Sequence, residues 1–280
     1  MWFSPKTKVV AGVSSGARVV AILLTLGALA AGLFLRFREA PVATPPEPPP
    51  ATDDLPGRVE EIARSVVLVW YQTAGGWANC GTAFAVDGEG RLLTCSHLVH
   101  GRETVTVTMP APEGERNVRA RVIAEDPNVD AALLLMEEAP PPPVRLGRSD
   151  GVRVGEEVGF VGYPLGYTVN AHVTPTLTMG HVAAKPNWRV RADSPRIPMI
   201  QVDASIAVGN SGSPLFRAGT GEVVGMMKSQ LRVPGQILER EDLLGWVETI
   251  PEELAPHAGI GLALPIDQLK DFLERNGVHR

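Results

Sequence analysis

From residue 65 onward the apolar positions fall in short runs of β-forming residues broken by turn residues, a pattern of strands and hairpins. The runs at 65–71, 81–86, 91–96, 103–109, 118–125 and 131–136 predict a first series of six strands. Asp87-Gly88-Glu89-Gly90 is a hairpin turn between the second and third. Four consecutive prolines at 140–143 cannot pair inside a sheet and divide this series from the next. The second series comprises 157–162, 168–185, 198–204, 214–216, 223–229 and 259–264. Two groups of about six short strands predict an all-β protein of two antiparallel β-barrels. One helix is predicted at the C-terminus, with Pro265 at its start, Leu269, Phe272 and Leu273 at helical spacing and Gly277 as its stop.

The pattern before residue 57 is different. Residues 19–35 are apolar throughout except for Thr25, flanked by Lys6, Lys8 and Arg18 before and by Arg36 and Arg38 after. The run reads as a single transmembrane anchor, with a cleaved signal ending near Ala28-Leu29-Ala30 and a buried helix as the alternatives. The basic residues ahead of it predict a cytoplasmic N-terminus and an extracytoplasmic bulk, periplasmic or extracellular. Pro41, Pro45, Pro46, Pro48, Pro49, Pro50 and Pro56 then mark an extended tether, stiff or simply a disordered spacer. The predicted organisation is an N-terminus and anchor at 1–39, a linker at 40–56, a first barrel at 57–146, and a second barrel with its helix at 147–280.

Composition narrows the classes of function. With 44% apolar and 20% charged residues over 280 positions, the chain can bury a large core. A formal net charge of -5 gives no global attraction for nucleic acid or anionic lipid. Two cysteines build neither a disulfide scaffold nor a spaced Cys/His zinc site, so no metal or cofactor is expected.

The candidate chemistry lies in three places. Gly209-Asn210-Ser211-Gly212-Ser213-Pro214 presents a serine hydroxyl on a tight loop between glycines. Leu92-Leu93-Thr94-Cys95-Ser96-His97 sets a histidine at the end of a hairpin strand, and Asp126-Pro127-Asn128-Val129-Asp130 sets an aspartate at the mouth of an apolar one. Alone, each reads as well as a turn residue, a satisfied histidine or an Asx cap. Together, in the order His, Asp, Ser, they resemble the triad of trypsin-like serine proteases, and more narrowly the HtrA/Deg branch. Leu146-Gly147-Arg148-Ser149-Asp150, Gly162-Tyr163-Pro164-Leu165-Gly166, Ile200-Gln201-Val202-Asp203-Ala204 and Gly259-Ile260-Gly261-Leu262-Ala263-Leu264-Pro265 extend the resemblance in order along the chain.

The resemblance implies a chymotrypsin-like pair of barrels, with His97 and Asp130 on the first, Ser211 on the second and catalysis between them. It implies an oxyanion hole from the N–H groups of Gly209 and Ser211. By position, Ser205, Ile206, Val208 and one of Met226 and Met227 would line an apolar specificity pocket that disfavours Lys and Arg. Protein or peptide substrates, and assembly as a homotrimer, follow by the same analogy. The non-enzymatic alternative is a protease-like domain that binds peptides without cutting them. Three departures from the branch are expected: no PDZ domain after the C-terminal helix, an acidic insertion at 230–256, and Ser213 where glycine is usual. Cys80 and Cys95 lie diagonally across the predicted hairpin, and a disulfide or two buried thiols are both open.

Overall fold

The computed structural model describes residues 54–73, 76–111, 114–138, 140–164, 173–189, 195–228 and 260–278, with the backbone alone at 72–80 and 188–189. The predicted anchor at 19–35, the tether up to residue 53 and the insertion at 230–256 lie outside the described residues. No helix among the described residues is long and apolar enough to cross a membrane.

The first element, α1 (Leu55–Ser65), begins inside the stretch predicted as tether. Pro56 sits in its first turn, where the missing N–H removes no helical hydrogen bond, and Asp54 caps the end by accepting Gly57 N–H at 3.0 Å. Ile62 is buried in the larger hydrophobic cluster, and the Arg58 guanidinium donates to Ala218 O of the second barrel at 2.9 Å.

Six strands follow: β1 (Val66–Thr73), β2 (Gly76–Ala85), β3 (Arg91–Thr94), β4 (Thr104–Ala111), β5 (Gly114–Asp126) and β6 (Ala131–Met136). They close a barrel in the order β1-β2-β3-β6-β5-β4. The β2–β3 register, with Phe84 opposite Leu93, is set by the Asp87 turn. Asp87 Oδ1 accepts the N–H groups of Glu89 and Arg91 at 2.9 and 3.1 Å, and Gly90 takes φ 89°. Leu68, Phe84, Leu92, Leu93, Leu133 and Leu134 are each fully buried, on the inner face or packed against its outer one. Such side chains contribute about 1.5–3 kcal/mol apiece.

The second barrel comprises β7 (Glu157–Gly162), β8 (Thr176–Ala184), β11 (Ile200–Val202), β12 (Pro214–Arg217), β13 (Val223–Lys228) and β14 (Gly261–Pro265), closed in the order β11-β14-β13-β12-β7-β8. The strand predicted at 168–185 is realised from Thr176 onward, with 165–172 outside the described residues. The one predicted at 198–204 is split at Met199, so that β9 (Asn187–Arg189) and β10 (Arg196–Pro198) pair as a separate ribbon. Val158, Phe160, Ile200, Leu215 and Met227 form this barrel's core.

The C-terminal helix α2 (Ile266–Arg275) follows Pro265 and ends before Gly277, at φ 81°, as predicted. Its N-terminus is capped from far away in the chain. Asp267 Oδ2 accepts Ser149 N–H and Oγ–H, both at 2.7 Å, and Asp150 N–H at 2.9 Å, while Ser149 Oγ accepts Asp267 N–H at 3.1 Å. Burial opposes ionisation of Asp267, but these donors together with Lys270 outweigh it and hold the carboxyl well below the usual range.

Candidate active site

His97 is carried by a single 3₁₀ turn, Ser96–Leu98, at the end of β3. The turn is pinned by the Ser96 hydroxyl, which donates to Glu125 of β5 at 2.9 Å. Asp130 stands just before β6 with φ 55°, an uncommon backbone for a residue with a side chain. The Asx turn expected in this region belongs to Asp126, whose Oδ1 accepts Asn128 N–H at 3.1 Å. That leaves the Asp130 carboxylate to turn inward, where it is 4% exposed.

The imidazole Nδ1 of His97 lies 3.0 and 2.9 Å from the two carboxylate oxygens of Asp130, and His97 N–H donates to Oδ1 at 3.0 Å. A carboxylate accepts, so Nδ1 carries the proton and Nε2 of the neutral ring keeps a lone pair. A third partner comes from the second barrel: Lys228 Nζ lies 3.0 Å from Asp130 Oδ2. Burial works against the negative charge of Asp130. The His97 hydrogen bonds and the charges of His97 and Lys228 outweigh it, and the carboxyl is held below its ordinary range.

Ser211 sits on the loop between β11 and β12, 3% exposed, between Gly209 at φ 100° and Gly212 at φ 85°. Both glycines are needed where they stand, since side chains resist this backbone region. A Cβ on Gly212 would also overlap the Thr82 carbonyl oxygen. The loop is sewn to its surroundings by Gly212 N–H to Met227 O and Met227 N–H to Ser213 O, both at 2.8 Å, and by Thr82 N–H to Ser211 O at 2.8 Å. Met227 O also faces the Cys95 thiol at 3.5 Å, so one carbonyl ties a neighbour of Ser211 to a residue two before His97. His97 and Asp130 thus belong to the first barrel and Ser211 to the second, held against β2 of the first.

A family model for the trypsin-like peptidase domain matches residues 81–226, more than half of the chain. The chain belongs to the trypsin-like peptidases. Within them it resembles the HtrA type. It is 36% identical over 178 residues to a probable periplasmic DegP-like serine endoprotease of Ectopseudomonas mendocina, covering 63% of this chain and 34% of the relative. The chain therefore spans about a third of that relative's length. The solved HtrA-type protease AlgW, with a tripeptide, superposes with a TM-score of 0.60 at 26% identity, covering 79% of this chain and 62% of that one. The Rv3671c protease of M. tuberculosis, active form, shares the fold with a TM-score of 0.59 at 23% identity, over 87% of this chain and 94% of that one.

Around His97, Asp130 and Ser211 the other expected residues divide. Ser205 is exposed and Val208 is 57% exposed on the approach to the loop. Ile206 packs in the second barrel's core beside Val202, and Met227 lies in the same cluster. Met226, also fully buried, points to the opposite face and joins the larger cluster, as strand alternation requires. Three of the five predicted pocket residues are therefore packed in hydrophobic cores. Cys95 is a free, buried thiol turned toward Met227 O, and the side chain of Cys80 lies outside the described residues.

The ligand atoms of Cys95, His97 and Asp130 lie within 4.8 Å of one another, close enough to raise the question of a metal. The donors do not suit one. Burial, and then the charge of Asp130, push the Cys95 thiol well up, away from the thiolate a metal needs, and Lys228 already neutralises the carboxylate. Two contributors escaped the sequence reading. Lys228 could have been noticed as the lone charge ending the buried strand 223–228, but Thr82 carries no signal beyond its place in the Gly81-Thr82-Ala83-Phe84 strand.

Proposed function

We propose that the chain is a membrane-anchored serine endopeptidase working outside the cytoplasm on unfolded or signalling proteins, with His97, Asp130 and Ser211 as its triad. The observation that carries the proposal is the bifurcated hydrogen bond from His97 Nδ1–H to both oxygens of buried Asp130, which fixes the tautomer in which Nε2 is a base. Ser211 Oγ attacks the scissile carbonyl as Nε2 takes its proton. The amine leaves with that proton, and water, deprotonated by the same Nε2, releases the acyl group. Asp130 stabilises the imidazolium formed in each half-reaction. The N–H groups of Gly209 and Ser211 receive the oxyanion. Position 205, taken as the base of the pocket, holds a serine rather than a carboxylate, which favours small or medium aliphatic side chains at the cleavage position over Lys and Arg. The segment 19–35 anchors the chain, and the names of its DegP-like relatives as periplasmic support the side of the membrane. Homotrimer formation remains part of the proposal by analogy.

The test is cleavage of unfolded casein by the purified chain and by Ser211→Ala. Cleavage by the first and none by the second supports the proposal. Peptide binding by both, with cleavage by neither, would favour the silent binding domain.

A further inference from the structure

Thr82 is the point at which three segments of the chain meet, and its side chain is fully buried. Its N–H donates to Ser211 O at 2.8 Å, and its carbonyl accepts the Thr94 hydroxyl at 2.7 Å. Its own hydroxyl lies 2.8 Å from Gly209 O and 3.1 Å from the backbone nitrogen of Tyr163.

The direction of the proton on that hydroxyl is determined. A hydroxyl has one proton to give and lone pairs to receive with. The Tyr163 N–H can only donate, so the oxygen accepts from it. The Gly209 carbonyl can only accept, so the single proton goes there. Tyr163 is itself fixed, because its buried phenol donates to Val66 O of the first barrel at 3.1 Å.

The consequence follows from peptide planarity. A bond to Gly209 O orients the 209–210 peptide, and a bond to Ser211 O orients the 211–212 peptide, since each is rigid. One residue of the first barrel therefore holds the peptide just after Ser211 and the one that precedes it by a residue, bracketing the nucleophile. We propose that Thr82 is a positioning residue for catalysis: the hydroxyl it donates to Gly209 O holds the nucleophile loop in the arrangement that meets the developing oxyanion. This rests on the peptidase reading above.

Thr82→Val keeps the branched shape and removes the hydroxyl, leaving Gly209 O and Tyr163 N–H without their partner. The measurement is steady-state cleavage of a peptide substrate by the purified full chain, by Thr82→Val and by Thr82→Ser. Wild type must first be labelled by a fluorophosphonate probe and cleave the peptide. If it does neither, the peptidase reading has failed, and the clamp with it. With an active wild type, the expected result for Thr82→Val is a kcat lower by about 10- to 100-fold with KM within about twofold, and for Thr82→Ser a kcat within about threefold of wild type. Unchanged kcat in Thr82→Val overturns the proposal, and so does a serine variant as impaired as the valine one, which would assign the effect to the lost methyl. If Thr82→Val lacks the wild-type circular dichroism, Thr82→Ser is compared with Thr82→Ala: a serine variant at wild-type turnover beside an impaired alanine variant supports the clamp, and any other pattern overturns it.

Discussion

Replacing Lys228 by methionine removes the charge that, among the described residues, the second barrel contributes to Asp130. The ammonium and the carboxylate are 3.0 Å apart, with side-chain exposures of 19% and 5%. At an effective dielectric of about 20, Coulomb attraction at that distance is about 5 kcal/mol. Most of it offsets the desolvation of the two ions, and Asp130 keeps its bonds to His97. The net coupling expected is about 1–3 kcal/mol. It is read from a double-mutant cycle of Lys228→Met and Asp130→Asn, by urea unfolding in a Ser211→Ala background to prevent self-cleavage. The sign with pH follows from Asp130, whose carboxyl is depressed in the folded chain. Its contribution is fully present above the unfolded value of about 3.9 and is lost as pH falls through the folded value. The coupling should therefore be complete at pH 7 and shrink toward zero in acid. A coupling under about 0.3 kcal/mol at pH 7, or one that does not fall in acid, would refute the reasoning.

Three further outcomes are expected. Ser149→Ala and Asp267→Ala each remove the side-chain bond shared by Ser149 and Asp267 at the start of α2 and should destabilise by about 1 kcal/mol, with the double variant less than the sum of the two; full additivity in thermal unfolding would contradict the shared cap. Because Asp267 is also depressed in the folded state, that loss should be seen at neutral pH and fade as pH falls below about 3.9, with no pH dependence counting against it. Gly212→Ala meets both an unfavourable φ and the Thr82 carbonyl, so probe labelling at Ser211 should fall at least about tenfold; full labelling would show the loop to be looser than described. Cys95, buried with its thiol pushed up, should resist iodoacetamide at pH 8 in the native chain and react after unfolding, as mass spectrometry of its peptide would report, and rapid native alkylation would refute its burial.

The parts of this molecule legible in its sequence were those encoded locally. The alternation of apolar residues, the Asp87 turn and the Pro265 and Gly277 helix boundaries each act within a few residues and were found where expected. The six strands of each barrel were likewise placed, apart from the region between β8 and β11. Contacts between distant segments were not legible. Ser149 caps a helix 118 residues away, and the Thr82 hydroxyl holds a carbonyl 127 residues on. Neither partner is marked by any local pattern. The start of α1 was hidden for another reason: Pro56 reads as the end of a proline-rich stretch, although a first-turn proline suits a helix as well. Met226, Met227 and Ile206 look alike as pocket or core residues in one dimension, and only the closed barrel separates the two uses.

The central claim is that Ser211 is a nucleophile activated by His97. The most direct measurement is the site of attachment of a fluorophosphonate probe, mapped by peptide mass spectrometry in wild type and in His97→Ala. The account predicts phosphonylation of Ser211 in wild type and its loss in His97→Ala. Absence of label from the folded wild-type chain, labelling at another residue, or equal labelling of Ser211 without His97 would contradict it.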